Sequence, residues 1–257
     1  MILARPTSAP RRAAGVSAPH RLAALGAVAL LCASACSVPV AAPTPSSSPA
    51  PTIPPTPPPY TLAPSPSGCP TSAPAAMASG TATVTMATDF GNIVIKVDGS
   101  LGPNAAGDFL ALARCGFYNN VLFHRVVAGF VVQGGDGQYG RLPDFQPAKM
   151  GQGGPGYSIP DDKVTTAYKR GTVAMARGSD ANSGGSQFFF VLSDSANTQL
   201  GATTANNYAI FGTVTSGMDV VDRIAALPLG GDPGPNGEAP SMPLVPALIT
   251  GMTIATP

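Results

Sequence analysis

Tryptophan is absent from the 257 residues, and only two histidines occur. One is His20, so His124 is the single histidine after Cys36. That count argues against a histidine-rich metal site. Charge is scarce too. Asp, Glu, Lys and Arg make up 11% of the chain, and none of them falls between residues 22 and 88. A long apolar run is also missing. The apolar stretch Leu22–Ala35 has 14 residues, whereas a bilayer span needs about 20. No basic cluster exists after Cys36, where 10 basic and 13 acidic residues give a net charge of −3. A nucleic-acid-binding face, which needs clustered Lys and Arg, is not expected.

What is present divides the chain in two. Residues 37–78 hold 14 of the 29 prolines, mixed with Ser, Thr and Ala. Such a composition offers too little apolar area to offset the backbone entropy of folding. Runs such as Pro54-Pro55-Thr56-Pro57-Pro58-Pro59 favour an extended, semi-rigid spacer. The remainder, residues 81–257, has the size of one domain.

The N-terminus reads as an export signal. A basic segment, Met1–Arg21, precedes the apolar run, which ends Ala33-Ser34-Ala35-Cys36. Small residues before a cysteine resemble a bacterial lipobox, in which Cys36 would receive a lipid and become the mature N-terminus. The other reading is an ordinary signal peptide cut near Ala35, with the protein secreted free. The organisation expected is a signal peptide over 1–35, a lipid-anchored linker over 36–80 and a domain over 81–257. The location expected is extracytoplasmic, at the bacterial cell membrane. Removing Cys32 with the signal and lipidating Cys36 leaves Cys69 and Cys115. An even count in an oxidising compartment suggests a bridge between them. The alternative is two free thiols.

Within the domain, short strand signals dominate. Thr81–Met86 and Asn92–Val97 flank a turn and predict a hairpin. Further strands are predicted in Val121–Val132, broken at Ala128-Gly129, and in Gly171–Ala176, Gln187–Leu192, Tyr208–Val214 and Leu248–Ile254. Pro103 opens a helical pattern that closes at Gly116, and Gly217–Leu227 is a second helix stopped by Pro228. Many short strands with two helices suggest a closed antiparallel barrel capped by the helices. Gly151–Gly156 matches G-x-G-x-x-G only formally, because Pro160 comes where a helix would have to begin. Asp161-Asp162 reads as a solvated loop.

Two longer segments carry more information. One is Phe123-His124-Arg125-Val126-Val127-Ala128-Gly129-Phe130-Val131-Val132-Gln133-Gly134-Gly135-Asp136. The other is Met175-Ala176-Arg177 with Gly185-Ser186-Gln187-Phe188-Phe189 after it. Both resemble the signature segments of the cyclophilin family of peptidyl-prolyl cis–trans isomerases, and the resemblance extends over about 82–227. It implies a mostly-β fold: a closed eight-stranded antiparallel barrel capped by two helices. It implies an enzyme without metal or cofactor that acts on proline-containing peptides and unfolded exported proteins as a monomer.

The resemblance also implies residue roles. Arg125, Gln133 and Phe189 would be catalytic. Phe130, Val131, Leu200 and Tyr208 would wall the proline pocket. Ala176, Arg177 and Gln187 would hold the residue before the proline. The matching histidine, His124, would be structural. Alternation along a strand turns Phe188 and Phe190 opposite to Phe189, toward the core, and Met175 reads as core as well. Three positions depart from the commonest animal pattern: Val131 replaces a methionine, Tyr208 replaces a histidine, and the pocket tryptophan is missing, with Gln199 near its place. Two other readings stay open at this level: a proline-peptide-binding module without catalysis, and a structural envelope lipoprotein.

Overall fold

The computed structural model describes residues 68–143, 145–201, 208–231 and 241–255. The export signal, Cys36 and most of the proline-rich segment lie outside the described residues. Eight strands close into a barrel in the order β1 (Thr81–Thr88), β10 (Leu248–Ala255), β3 (Val121–Val127), β4 (Val131–Gly134), β6 (Phe188–Val191), β5 (Thr172–Met175), β7 (Ile210–Ser216) and β2 (Gly91–Asp98). Every pairing is antiparallel. A separate two-stranded ribbon joins β8 (Leu229–Gly230) to β9 (Met242–Pro243).

Period-two alternation turns the apolar residues inward. Ala82, Val84 and Met86 of β1 and Ile93, Ile95 and Val97 of β2 are all buried in one core. Helix α1 (Pro103–Arg114) covers part of that core with Phe109, Leu110 and Leu112. Helix α3 (Met218–Ala225) does so with Val220, Val221 and Ile224. Each such aliphatic or aromatic side chain contributes about 1.5–3 kcal/mol when taken fully from water. Aromatic rings tie the layers together: Phe109 lies 5.4 Å from Phe188 and 4.9 Å from Phe211, centroid to centroid.

Three features differ from the sequence expectations. A third, short helix, α2 (Ala196–Gly201), lies in a segment for which the sequence predicts no element. Its Leu200 is buried while Gln199 is exposed. The second difference is Asp162, which is buried rather than solvated. Its carboxylate accepts the backbone N–H groups of Asn104 and Ala105, the donors left over at the start of α1.

The third difference is the domain boundary. The chain already lies against the domain from Cys69, where a disulfide joins it to Cys115, with the Cα atoms 5.1 Å apart. The Met77 N–H donates to the Pro103 carbonyl at 2.8 Å, and the Met77 side chain packs on the core. Small residues permit this approach. A Cβ on Gly107 of α1 would stand 2.4 Å from the Ala75 carbonyl oxygen.

Candidate active site

β3 and β4 pair with one irregularity. Phe123 faces Gly134 and Arg125 faces Gln133, so His124 is an extra residue with no partner across the ladder. A bulge of this kind reverses the facing of the residues beyond it. Phe123 and Val126 consequently both enter the core although three positions apart. Arg125 is turned to the outer face, and His124 is buried beside it.

The register carries the site across three strands. Arg125 on β3 faces Gln133 on β4, and Gln133 faces Phe189 on β6. These three side chains form a row perpendicular to the strands. On β6, Phe188 and Phe190 point into the barrel core, while Phe189 joins a second apolar cluster with Val131, Ala174, Leu200 and Ile210. Met175 belongs to the barrel core.

This second cluster floors a cavity of about 210 Å³. Arg125 and Gln133 stand at its polar side, and Phe130, Val131 and Phe189 give it an apolar base. Leu200 from α2 and Tyr208 close the far wall, and Ala176 and Arg177 form the rim. The Tyr208 ring meets Phe189 edge-on at 5.4 Å. Tyr208 is held in turn by Tyr168, whose hydroxyl donates to the Tyr208 carbonyl at 2.7 Å and accepts its N–H at 2.9 Å.

Gln187 does not line this cavity. It lines an adjoining cleft of about 530 Å³ that shares Gln133, Ala176 and Arg177 with it. The loop Gly151–Gly156 forms another wall of that cleft. The Gly151 and Gly153 N–H groups are both taken by Asp136, so they do not offer a phosphate cradle. The Arg177 guanidinium is engaged elsewhere, pairing with Asp161 at 3.3 Å and donating to the Asp180 carbonyl at 2.8 Å.

Burial pushes the His124 imidazole down to about 4, so it is neutral near pH 7. Among the described residues, the cavity lining contains no carboxylate and no thiol. The Arg125 guanidinium thus stands beside a cavity with an apolar base. Such an arrangement stabilises developing charge rather than transferring a proton.

Residues 83–242 match the model of the cyclophilin type peptidyl-prolyl cis-trans isomerase family. The chain belongs to this family. A peptidyl-prolyl cis-trans isomerase of Streptomyces antibioticus is 36% identical over 165 residues, covering 63% of this chain and 94% of the relative. Peptidyl-prolyl cis-trans isomerase A of Dickeya dadantii is 35% identical over 172 residues, covering 67% and 85%. Among solved structures, a Cryptosporidium parvum cyclophilin type isomerase, determined in the presence of the dipeptide ala-pro, superposes with a TM-score of 0.53 at 27% identity, covering 68% of this chain and 99% of that one. The activity of this cyclophilin-type chain is the cis–trans isomerisation of X–Pro peptide bonds.

Sequence reasoning missed Asp136 as a structural centre, although it closes the segment Gln133-Gly134-Gly135-Asp136. An acidic residue straight after two glycines in an otherwise uncharged run was the available signal.

Proposed function

We propose that Arg125, Gln133 and Phe189 carry the isomerisation, and that the protein works on exposed X–Pro bonds of exported chains while anchored by a lipid on Cys36. The observation that carries the catalytic part is the row Arg125–Gln133–Phe189, which sets a guanidinium at the edge of the apolar cavity.

The uncatalysed rotation is slow because it breaks amide resonance, a barrier of about 20 kcal/mol. In the twisted amide the proline nitrogen becomes pyramidal and gains a lone pair. The Arg125 fork donates toward that lone pair, which exists only away from planarity, so the bonus falls on the transition state. Phe130, Val131, Phe189, Leu200 and Tyr208 hold the ring. The backbone at Ala176 and Arg177 restrains the residue before proline, so that one end turns against a fixed other end. Raising ~10⁻² s⁻¹ to ~10³ s⁻¹ needs about 7 kcal/mol. Arg125→Ala is expected to lower kcat/KM on a short X–Pro peptide by about 10²-fold with the fold retained. Turnover near wild type in that variant would remove Arg125 from the mechanism.

Export is supported by the N-terminal pattern and by the Cys69–Cys115 bridge, since disulfides persist in oxidising compartments. A monomeric state is supported by the surface, where Leu244 is the exposed large apolar side chain among the described residues. Mass spectrometry of the membrane fraction tests the anchor. A diacylglyceryl adduct on Cys36, lost in Cys36→Ala, is expected, and a soluble mature chain beginning elsewhere would refute it.

A further inference from the structure

The amide of a glutamine can face a guanidinium in two ways, and only its oxygen end attracts it. In this site the choice at Gln133 is made by residues further back. Gln187 Nε2 donates to the Gly151 carbonyl at 2.9 Å and to the Gly153 carbonyl at 2.8 Å. Both amide hydrogens are then used, so Oε1 is the end of Gln187 left to face β4. That oxygen accepts from Gln133 Nε2 at 2.9 Å. With its nitrogen engaged, Gln133 presents Oε1 to Arg125, whose Nη1 donates to it at 3.5 Å. This last contact is long, as such bonds commonly are before substrate binds. Turning Gln133 over would set its NH2 against the guanidinium and its oxygen against the Gln187 oxygen.

The two carbonyls owe their direction to Asp136. Its carboxylate is fully buried, and it accepts four backbone N–H groups. Oδ1 takes those of Gln138 at 3.1 Å and Tyr139 at 2.8 Å. Oδ2 takes those of Gly151 at 2.7 Å and Gly153 at 3.1 Å. The loop can close this tightly only on glycine, because a Cβ at Gly153 would stand 2.2 Å from Asp136 Oδ1. The N–H groups of Gly151 and Gly153 are thus committed to Asp136, and their carbonyls to Gln187.

We propose that Asp136, through the Gly151 and Gly153 carbonyls and Gln187, sets which end of the Gln133 amide faces Arg125. Asp136 and Gln187 are then positioning residues for the reaction. The proposal rests on the reading of Arg125 as the catalytic cation.

A double-mutant cycle with Gln187→Met tests it, read as kcat/KM on a short X–Pro peptide with melting temperature measured alongside. In the wild-type background Gln187→Met is expected to lower kcat/KM by about tenfold, the size of one net hydrogen bond. In a Gln133→Glu background the same change is expected to cost less than about twofold, because a carboxylate shows an oxygen to Arg125 whichever way it turns. Asp136→Asn is expected to show the same pattern if it folds, and Gln187→Met decides the matter if it does not. No loss in Gln187→Met, or a loss as large in both backgrounds, overturns the relay. Arg125→Ala in the same assay separates the two failures. An inactive Arg125→Ala with an unaffected Gln187→Met sinks the relay alone, while an active Arg125→Ala sinks the reading beneath it.

Discussion

The Tyr157 hydroxyl donates to Asp108 Oδ1 at 2.7 Å, while Asp108 Oδ2, buried within α1, has no hydrogen-bond partner among the described residues. Burial raises the Asp108 carboxyl to about 6, although the Tyr157 bond opposes the shift. The neighbouring Tyr118 hydroxyl is raised too, by its own burial and then by the Asp108 charge. A carboxyl raised in the folded state binds its proton more tightly there than in the unfolded chain. The stability that protonation contributes is complete below the unfolded value of 3.8 and is lost as pH rises through about 6. Asp108→Asn is therefore expected to stabilise the protein at pH 8 by about 2 kcal/mol. The gain should fade toward pH 4, as read by urea unfolding at both pH values. A destabilised variant at pH 8 would show that the charge is compensated.

His124 works in the opposite direction. Its imidazole is depressed to about 4, first by burial, with Arg125 adding to the effect while the Asp136 charge and the nearby Leu122 backbone and Gln187 side chain oppose it. The stability this contributes is present above the unfolded value of 6.5 and is lost as pH falls through about 4. Between pH 6 and 4 the losses at His124 and the gains at Asp108 nearly cancel. Asp108→Asn is expected to uncover the His124 limb, giving a steady fall in unfolding free energy from pH 6.5 to 4 where wild type is nearly flat. Since His124 stays neutral from pH 6 to 8, kcat/KM should be level across that range. A bell centred on an imidazole pKa would assign His124 a proton-transfer role instead.

The residues of this site were legible through the resemblance of two segments to the cyclophilin signatures, and the strict strand period added which way their side chains face. Phe188, Phe189 and Phe190 had to alternate, so one phenylalanine faced the pocket and two the core, as the structure has them. The barrel and its two large caps came from apolar spacing and from Pro103, Gly116 and Pro228. What was not legible depends on pairing between distant segments. The bulge at His124 appears only when Phe123 and Arg125 are matched to β4. The capping of α1 by Asp162 joins positions 58 residues apart. The resemblance places Gln187 with Ala176 and Arg177, and the three do share a cleft, but the bonds from its amide to the Gly151 and Gly153 carbonyls appear only in the folded loop.

The Cys69–Cys115 bridge closes a sequence separation of 46 residues. Loop-closure entropy for that length gives up to about 4 kcal/mol, and measured effects commonly fall near 2–4 kcal/mol. Replacing both cysteines by serine is expected to lower stability by that order. Cys115 lines a cleft with Thr85, Asn92 and Gly251, away from Arg125 and Phe189. The double variant should therefore keep wild-type kcat/KM at 25 °C. A matching loss of kcat/KM would tie the anchor point of the linker to catalysis.

Gly107 gives a test in which the sign of an effect reverses. It lies in the middle of α1, fully inside the helix, where alanine is normally favoured over glycine by about 1 kcal/mol. Here the added methyl would stand 2.4 Å from the Ala75 carbonyl oxygen and 3.0 Å from the Met77 nitrogen. Both are backbone atoms, so the clash cannot be relieved by a rotamer. The segment ahead of β1 would have to lift from the helix, giving up the Met77 to Pro103 hydrogen bond and the packing of the Met77 side chain. In the intact chain, Gly107→Ala is expected to lower the melting temperature. In a chain that begins after Met77 the obstacle is gone, and the same substitution should raise it through helix propensity alone. Thermal unfolding of the four proteins reads both signs. Stabilisation in the intact chain would mean that residues 69–80 do not hold their place on α1, and that the folded domain begins at β1.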